Sequence, residues 1–296
     1  SNTSIGNTCI SISNSCITGN RNAPTQQQQC VSELVDDYTN ESQKETGFKH
    51  KKTNITRRMK RMTNPFAQQH AVSDISALAD EVSNAFRDKS LPMFVDIGCA
   101  RGAFLQKLAV LQSTGSNPAL SEKYNFLGIE IYAPLVERAN AWRDENDGTK
   151  GILHYVAGTA QSILPIFQDN TSSSNALPKV GKVCIQFPDP WSKKHKRRRL
   201  VDEDFANLIA DILMRGGEVY FASDYEEIAE DILQSFTSTG KFTVSHDSGS
   251  SLLRENDENV TVEWLTGGNP YGAGTERDEV CELHWRQSWR QRLIRS

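Results

Sequence analysis

Met93-Phe94-Val95-Asp96-Ile97-Gly98-Cys99-Ala100-Arg101-Gly102 joins an apolar run to a turn of small residues. The run reads as a strand, and a helix follows over about 103–111. Small residues between them let the backbone approach a ligand that faces the helix N-terminus. The same alternation then continues along the chain. Strands are expected at 126–130, 153–156, 183–187 and 218–222. Helices are expected at about 134–144, 160–166, 205–214 and 225–236. Pro134 suits a helix start, and Gly216-Gly217 suits a glycine cap after the 205–214 helix. Segments 242–245 and 280–283 are expected to complete the sheet. The pattern predicts an α/β fold with a doubly wound, mostly parallel sheet and right-handed crossovers.

Toward the N-terminus, 71–87 places Ile75, Leu78, Val82 and Phe86 at helical spacing, which predicts a leading amphipathic helix. Before it, 49–61 is a basic arm that ends in Met62-Thr63-Asn64-Pro65-Phe66. Residues 1–48 are rich in Ser, Asn, Thr and Gln and lack hydrophobic periodicity. Such a segment buries too little apolar surface to offset the entropy of ordering, so disorder is expected. Its start is hydroxylated and acid-poor, a composition shared by targeting peptides and plain tails. The expected organisation is a disordered segment at 1–48, a basic arm and leading helix at 49–90, and one large domain at 91–296.

Net charge is −4, yet positive charge is concentrated at 49–61, 193–199 and 286–295. Local patches on a mildly acidic chain predict a confined polyanion site. The six cysteines form no C-x-x-C pair, and Cys99, Cys184 and Cys281 fall in expected core segments. No metal site or disulfide framework is therefore predicted, and a reducing compartment fits. No run of about 18 apolar residues occurs, so no membrane span is expected.

A second landmark is Val183-Cys184-Ile185-Gln186-Phe187-Pro188-Asp189-Pro190-Trp191. Prolines lack an N–H and fix φ, so they stop a strand abruptly. Asp189 is thereby held at a strand's C-terminal end, where open α/β sheets bind ligands. Six Lys/Arg and one His follow over 193–199. A carboxylate, an indole and dense positive charge at one edge suit a nucleobase joined to a phosphate backbone. Taken alone, the charge run also fits a solvated face; the Pro-Asp-Pro-Trp junction argues for a site.

Glu130 closes the second strand, where a carboxylate can accept hydrogen bonds from both ribose hydroxyls. A nicotinamide dinucleotide and S-adenosylmethionine both fit such a half-site. Ala103 and Phe104 follow the loop where a dinucleotide fingerprint continues to a third glycine. Asp96, before the turn, opposes a phosphate and favours the cationic amino-acid end of S-adenosylmethionine. The residues tilt toward the methyl donor. Thr159-Ala160 follows the third strand, where an adenine edge would be contacted.

The stretch 96–102, Gly128-Ile129-Glu130-Ile131, and Phe187-Pro188-Asp189-Pro190-Trp191 with its basic run resemble tRNA (guanine-N7)-methyltransferases of the TrmB type. So do Ser223-Asp224-Tyr225, Thr275-Glu276-Arg277 and Asn64-Pro65, in the family's order over about 60–296. The flavour is that of cyanobacterial and plastid members. The resemblance implies a class I methyltransferase fold, S-adenosylmethionine as cofactor, and methylation of a variable-loop guanine of tRNA at N7. It implies cofactor contacts at Asp96, Gly98, Glu130, Ile131, Thr159, Ala160 and Gln186, a catalytic role for Asp189, and substrate contacts at Lys193, Asp224, Thr275, Glu276 and Arg277. It further implies an intracellular enzyme, in a plastid or else in cytoplasm or nucleus, that needs no non-catalytic partner subunit. Thr159 departs from the usual Asn or Asp, and Trp285 and Trp289 have no place in the pattern.

Guanine N7 carries an unshared pair at neutral pH, so the expected reaction needs placement rather than a general base. Asp189 is expected to accept hydrogen bonds from the guanine edge and offset charge arising on the ring. Residues 193–199 are expected to hold phosphates. Two alternatives are a non-catalytic RNA-binding module on the same fold and a methyltransferase with a different acceptor. Asp96, Glu130 and Asp189 argue against the first, and the basic run argues against the second.

Overall fold

Five apolar runs pair side by side into a parallel sheet, and the helices between them cover both of its faces. The computed structural model describes residues 64, 66, 68–168, 177–245 and 264–296. The segment at 1–48, the arm at 49–61 and most of the expected polar loop at 169–178 lie outside the described residues. The elements are α1 (Ile75–Ala85), β1 (Met93–Ile97), α2 (Ala103–Ser113), β2 (Asn125–Glu130), α3 (Ala133–Glu145), β3 (Leu153–Ala157), α4 (Ala160–Ile163), β4 (Val180–Gln186), α5 (Glu203–Ile212), β5 (Leu213–Ser223), α6 (Glu226–Ser238), β6 (Phe242–Val244), α7 (Glu276–Leu283) and β7 (Trp289–Arg295). The strand order is β3-β2-β1-β4-β5-β7-β6. The first five strands are parallel, and β7 runs antiparallel to both β5 and β6.

The order reverses between β1 and β4, which leaves a crevice at their carboxyl ends. Strand alternation splits the core between the two sheet faces. Val95, Ile97, Leu127, Ile129, Val183 and Ile185 face α1, α5 and α6 residues such as Leu78, Phe205 and Ile232. Phe94, Phe126, Tyr155 and Tyr220 pack with Phe104, Leu108 and Val136 on the other face. Each such side chain, fully buried, contributes roughly 1.5–3 kcal/mol. Asp74 caps α1 by accepting the Ala77 N–H at 2.9 Å. Leu78, Val82 and Phe86 are buried as the spacing predicts, whereas Ile75, in the first turn, is exposed.

Three local expectations are corrected. The helix expected at 205–214 ends at Ile212, and Leu213 passes straight into β5 opposite Val180. Gly216 therefore lies inside β5, where the register jumps to Lys182 opposite Glu218 and 214–217 bulge out. Residues 280–283 belong to α7, because Thr275 and Asp278 form a capping box that starts a helix there. The antiparallel strand is instead β7, which Trp289 opens while packing against the core. Phe187 is outside β4 and has φ +51°, so the chain turns before the first proline.

Cys99, Cys184 and Cys281 are buried free thiols. Among the described residues, no cluster of His, Cys, Asp and Glu could hold a metal ion, and no helix is long and apolar enough to cross a membrane.

Candidate active site

Two adjoining cavities open at the crevice between β1 and β4. The larger, about 320 Å³, is lined by Gly98, Ala100, Glu130, Ile131, Thr159, Ala160, Gln186, Asp189, Trp191 and Arg198 among others. The smaller, about 160 Å³, is lined by Asp96, Cys99, Thr275, Glu276 and Arg277 and shares Gly98, Ala100, Gln186 and Phe187 with the first. The structure thus gathers on one edge residues that lie far apart in the chain.

The loop after β1 is shaped by close approach. A Cβ on Gly102, which has φ +79°, would lie 2.5 Å from the Tyr155 ring. Only glycine fits there, and its carbonyl accepts the Tyr155 hydroxyl at 2.9 Å, which ties the start of α2 to β3. A Cβ on Gly98 would meet no protein atom within 4 Å, since that side of the backbone opens to the cavities.

Glu130 ends β2 with its carboxylate pinned by two backbone donors. Ala100 N–H donates to Oε2 at 3.0 Å, and Tyr132 N–H donates to Oε1 at 3.1 Å. Burial nonetheless raises its pKa. Asp96 is more deeply enclosed, at 3% exposure. Gln186 Nε2 donates to its Oδ1 at 3.3 Å, and Asn269 Nδ2 donates to Gln186 Oε1 at 2.7 Å. Burial is the main reason that the Asp96 pKa is raised to about 7; the Gln186 hydrogen bond opposes this, while Glu130 and Glu276 add to it. Ile131 and Ala160 form the wall beyond Glu130. Thr159 lies on the same wall, but its hydroxyl caps α4, donating to Ser162 Oγ at 2.8 Å and accepting the Ser162 N–H at 3.3 Å. A capping hydroxyl has less to offer an adenine edge than the Asn or Asp it replaces.

At the other end of the larger cavity, Asp189 is exposed and Trp191 is buried. Arg198 lies over the Trp191 ring with its guanidinium carbon 5.1 Å from the centroid. The basic run forms a 3-10 helix, Lys193–Arg198, and its charges divide into two sets. Arg199 is buried; its Nε donates to the Trp191 carbonyl at 3.0 Å, and its guanidinium pairs with Glu227 at 2.8 Å and with Asp231. Lys196 joins Asp231 at 2.9 Å. Lys193 is exposed and only 3.9 Å from Glu227 at its nearest, and Lys194 and Arg197 are exposed as well. The expectation that the whole run faces phosphates therefore fails at Arg199, which ties the Trp191 turn to α6.

Thr275 N-caps α7, so its hydroxyl bonds Asp278 within the capping box. Arg277 pairs with Asp224. Glu276 has its pKa raised, chiefly by burial, with Arg101 and Lys107 opposing. These residues meet Asp96 at the smaller cavity, whereas Lys193 and Asp224 line neither cavity. Sequence reasoning missed Asn269, which orients Gln186 across 83 positions, and Arg198 as a distinct member of the run. No local pattern marks either one.

A family model described as "Putative methyltransferase" matches residues 90–264. The tRNA (guanine-N(7)-)-methyltransferase of Synechocystis sp. is 33% identical across 76% of this chain and 90% of its own length. That of Thermosynechococcus vestitus is 34% identical across 77% of this chain and 89% of its own. Among solved structures, the aminoglycoside resistance methyltransferase NpmB1 is 14% identical, with 73% of this chain and 91% of that chain covered and a TM-score of 0.41. From its match to the family model and its identity with these relatives, the chain belongs to the tRNA (guanine-N7)-methyltransferase family and has a class I methyltransferase fold.

Proposed function

We propose that the chain transfers a methyl group from S-adenosylmethionine to N7 of a guanine in the variable loop of tRNA. One observation carries this: a single cavity is lined at one end by Glu130, Thr159 and Ala160 and at the other by Asp189, Trp191 and Arg198. Donor and acceptor groups can therefore meet inside it.

The residues present fit the donor. Gly98 leaves one side of the loop open, Asp96 offers a buried carboxyl to an ammonium group, and Glu130 has lone pairs left for ribose hydroxyls. Ile131, Thr159 and Ala160 would flank the adenine, and Gln186 would hold Asp96 in place. When bound, S-adenosylmethionine supplies an electrophilic methyl group on a sulfonium. Asp189 accepts hydrogen bonds from the guanine edge and offsets the positive charge that arises on the ring. No residue need remove a proton before attack, so orientation carries the rate. Lys193, Lys194 and Arg197 hold phosphates. Thr275, Glu276 and Arg277, with Asp224 behind Arg277, close the smaller cavity against the bound substrates. The methyltransferase domain spans 91–296. Kinship with cyanobacterial proteins supports an enzyme that works inside the cell, in a plastid, without a non-catalytic subunit.

The test is methyl transfer from labelled S-adenosylmethionine to unmodified tRNA by the purified chain alone, followed by cleavage at N7-methylguanine. A cut in the variable loop is expected. Transfer to another position, or none despite donor binding, overturns the assignment.

A further inference from the structure

We propose that Trp285 is a stacking platform for an unpaired base of the RNA substrate. The inference rests on the tRNA reading above, and it begins from a residue that its own backbone conformation does not favour. Helix α7 ends with a paired cap. The Arg286 N–H donates to the Cys281 carbonyl at 2.8 Å, and the Trp285 N–H donates to the Glu282 carbonyl at 3.2 Å. This is the Schellman arrangement, whose left-handed position glycine usually takes because it has no Cβ to clash. Here that position is Trp285, with φ +52°. A left-handed conformation is unfavourable for a side chain of this size. No packing within the chain compensates, because Trp285 is 95% exposed. The cap explains the conformation but not the residue, since glycine would close it without strain; a tryptophan kept there points to a use outside the chain.

Its position says what that use is. In the β5–β7 register Trp289 lies opposite Ser223, at the carboxyl end of β5. The turn at 284–288 therefore emerges on the edge that carries Gln186 and Asp189. The first turn of α7 lines the smaller cavity through Thr275, Glu276 and Arg277. Eight residues of helix span about 12 Å, so the indole is one short, rigid element away from the site. A tRNA that inserts one guanine there must drape over this edge.

The surroundings fit a nucleotide. Arg286 and Gln287 line a cleft of about 350 Å³ together with Trp264, Gly267, Gly268 and Glu282. A base on the indole would leave its phosphate to Arg286 and a ribose hydroxyl to the Glu282 carboxylate. Stacking on an exposed aromatic ring beside a guanidinium is how splayed RNA bases are held. Among the described residues of α7 and the turn after it, the exposed large apolar side chains are Leu283 and this one ring. That is less than a stable protein interface buries.

Substitution separates strain from recognition. Trp285→Gly should raise the melting temperature, since glycine suits the left-handed cap, and should leave S-adenosylmethionine binding unchanged. It should weaken binding of an unmodified tRNA transcript roughly 5- to 100-fold. Trp285→Phe, which keeps an aromatic face, should retain most of the affinity. Unchanged tRNA binding in Trp285→Gly overturns the proposal and would leave the ring to a protein partner. Equal loss in the Phe and Gly variants overturns stacking. A parent chain that methylates tRNA normally keeps the functional assignment whatever the variants do. A parent chain that neither binds nor methylates tRNA removes both.

Discussion

At the β2–β3 end of the larger cavity and in the crevice beside it, carboxyls are buried and held by fixed donors. At the β4 end, by contrast, Asp189 stands exposed among cations. Glu130 has two backbone N–H groups on it and Asp96 has the Gln186 amide. Beyond Asp189, Arg199 is locked inside while Lys193, Lys194 and Arg197 face solvent. The contrast follows the size of the two ligands. A small donor can be enclosed and desolvated, which strengthens each electrostatic contact it makes. A large polyanion must be drawn to an open edge, where mobile cations act at a distance. Arg199 and Lys196 pair with acidic residues of α6 and so fasten the acceptor end to it.

The sharpest way to break this division is at Asp189. Asp189→Ala should lower turnover by at least about 10²–10³-fold while tRNA binding stays near its original value. Loss of binding with normal turnover would move Asp189 from catalysis to recognition. Next in size is Arg199. Arg199→Met leaves Asp231 and Glu227 facing an apolar chain and should cost about 3 kcal/mol in denaturant unfolding. If stability holds and only tRNA affinity falls, Arg199 belongs with the phosphate contacts after all.

The donor end should declare itself through pH. Burial raises the Asp96 pKa from 3.8 to about 7. The ionised form is the one that suits an ammonium, so S-adenosylmethionine affinity should fall about tenfold for each pH unit below that value. Folding stability of the unliganded chain moves the opposite way. The folded state binds this proton more tightly than the unfolded state, so the contribution is full below about pH 4 and is lost as pH rises to about 7. Calorimetric titrations across pH 5–8 read the first trend and thermal melts read the second; Asp96→Asn should flatten both. The smallest effect belongs to Lys193. Lys193→Ala should leave stability within about 0.5 kcal/mol and reduce the slope of log K against log salt for tRNA by about one. An unchanged slope would show that Lys193 meets no phosphate.

Much of the fold was legible because strands buried on both faces read as short apolar runs. β1 begins and ends where that pattern does, and β2, β3 and the site end of β4 follow within a residue or so. The misreadings share a cause. Gly216-Gly217 looks like a helix stop by local chemistry, yet pairing of Leu213 with Val180 pulls the chain into β5 earlier. The 280–283 stretch is apolar enough for a strand, yet the Thr275–Asp278 capping box commits it to α7. In each case a partner outside the window overrode the local preference.

For the site, Asp96, Gly98, Glu130 and Asp189 were visible because each sits at a strand end marked by small residues, a charge or prolines. The sequence by itself determined the strand–helix alternation, the glycine-rich turn and the stiff Pro-Asp-Pro-Trp corner, since periodicity and turn chemistry act over a few residues. Only the tertiary structure decided which cations of 193–199 are buried anchors and which face solvent, since that depends on Glu227 and Asp231 standing opposite on α6. It likewise decided that Asn269 reaches Asp96 through Gln186, and that the turn bearing Trp285 emerges at the carboxyl end of β5. Charges and amides look alike along a chain; their roles are set by the distance and burial of partners that folding brings to them.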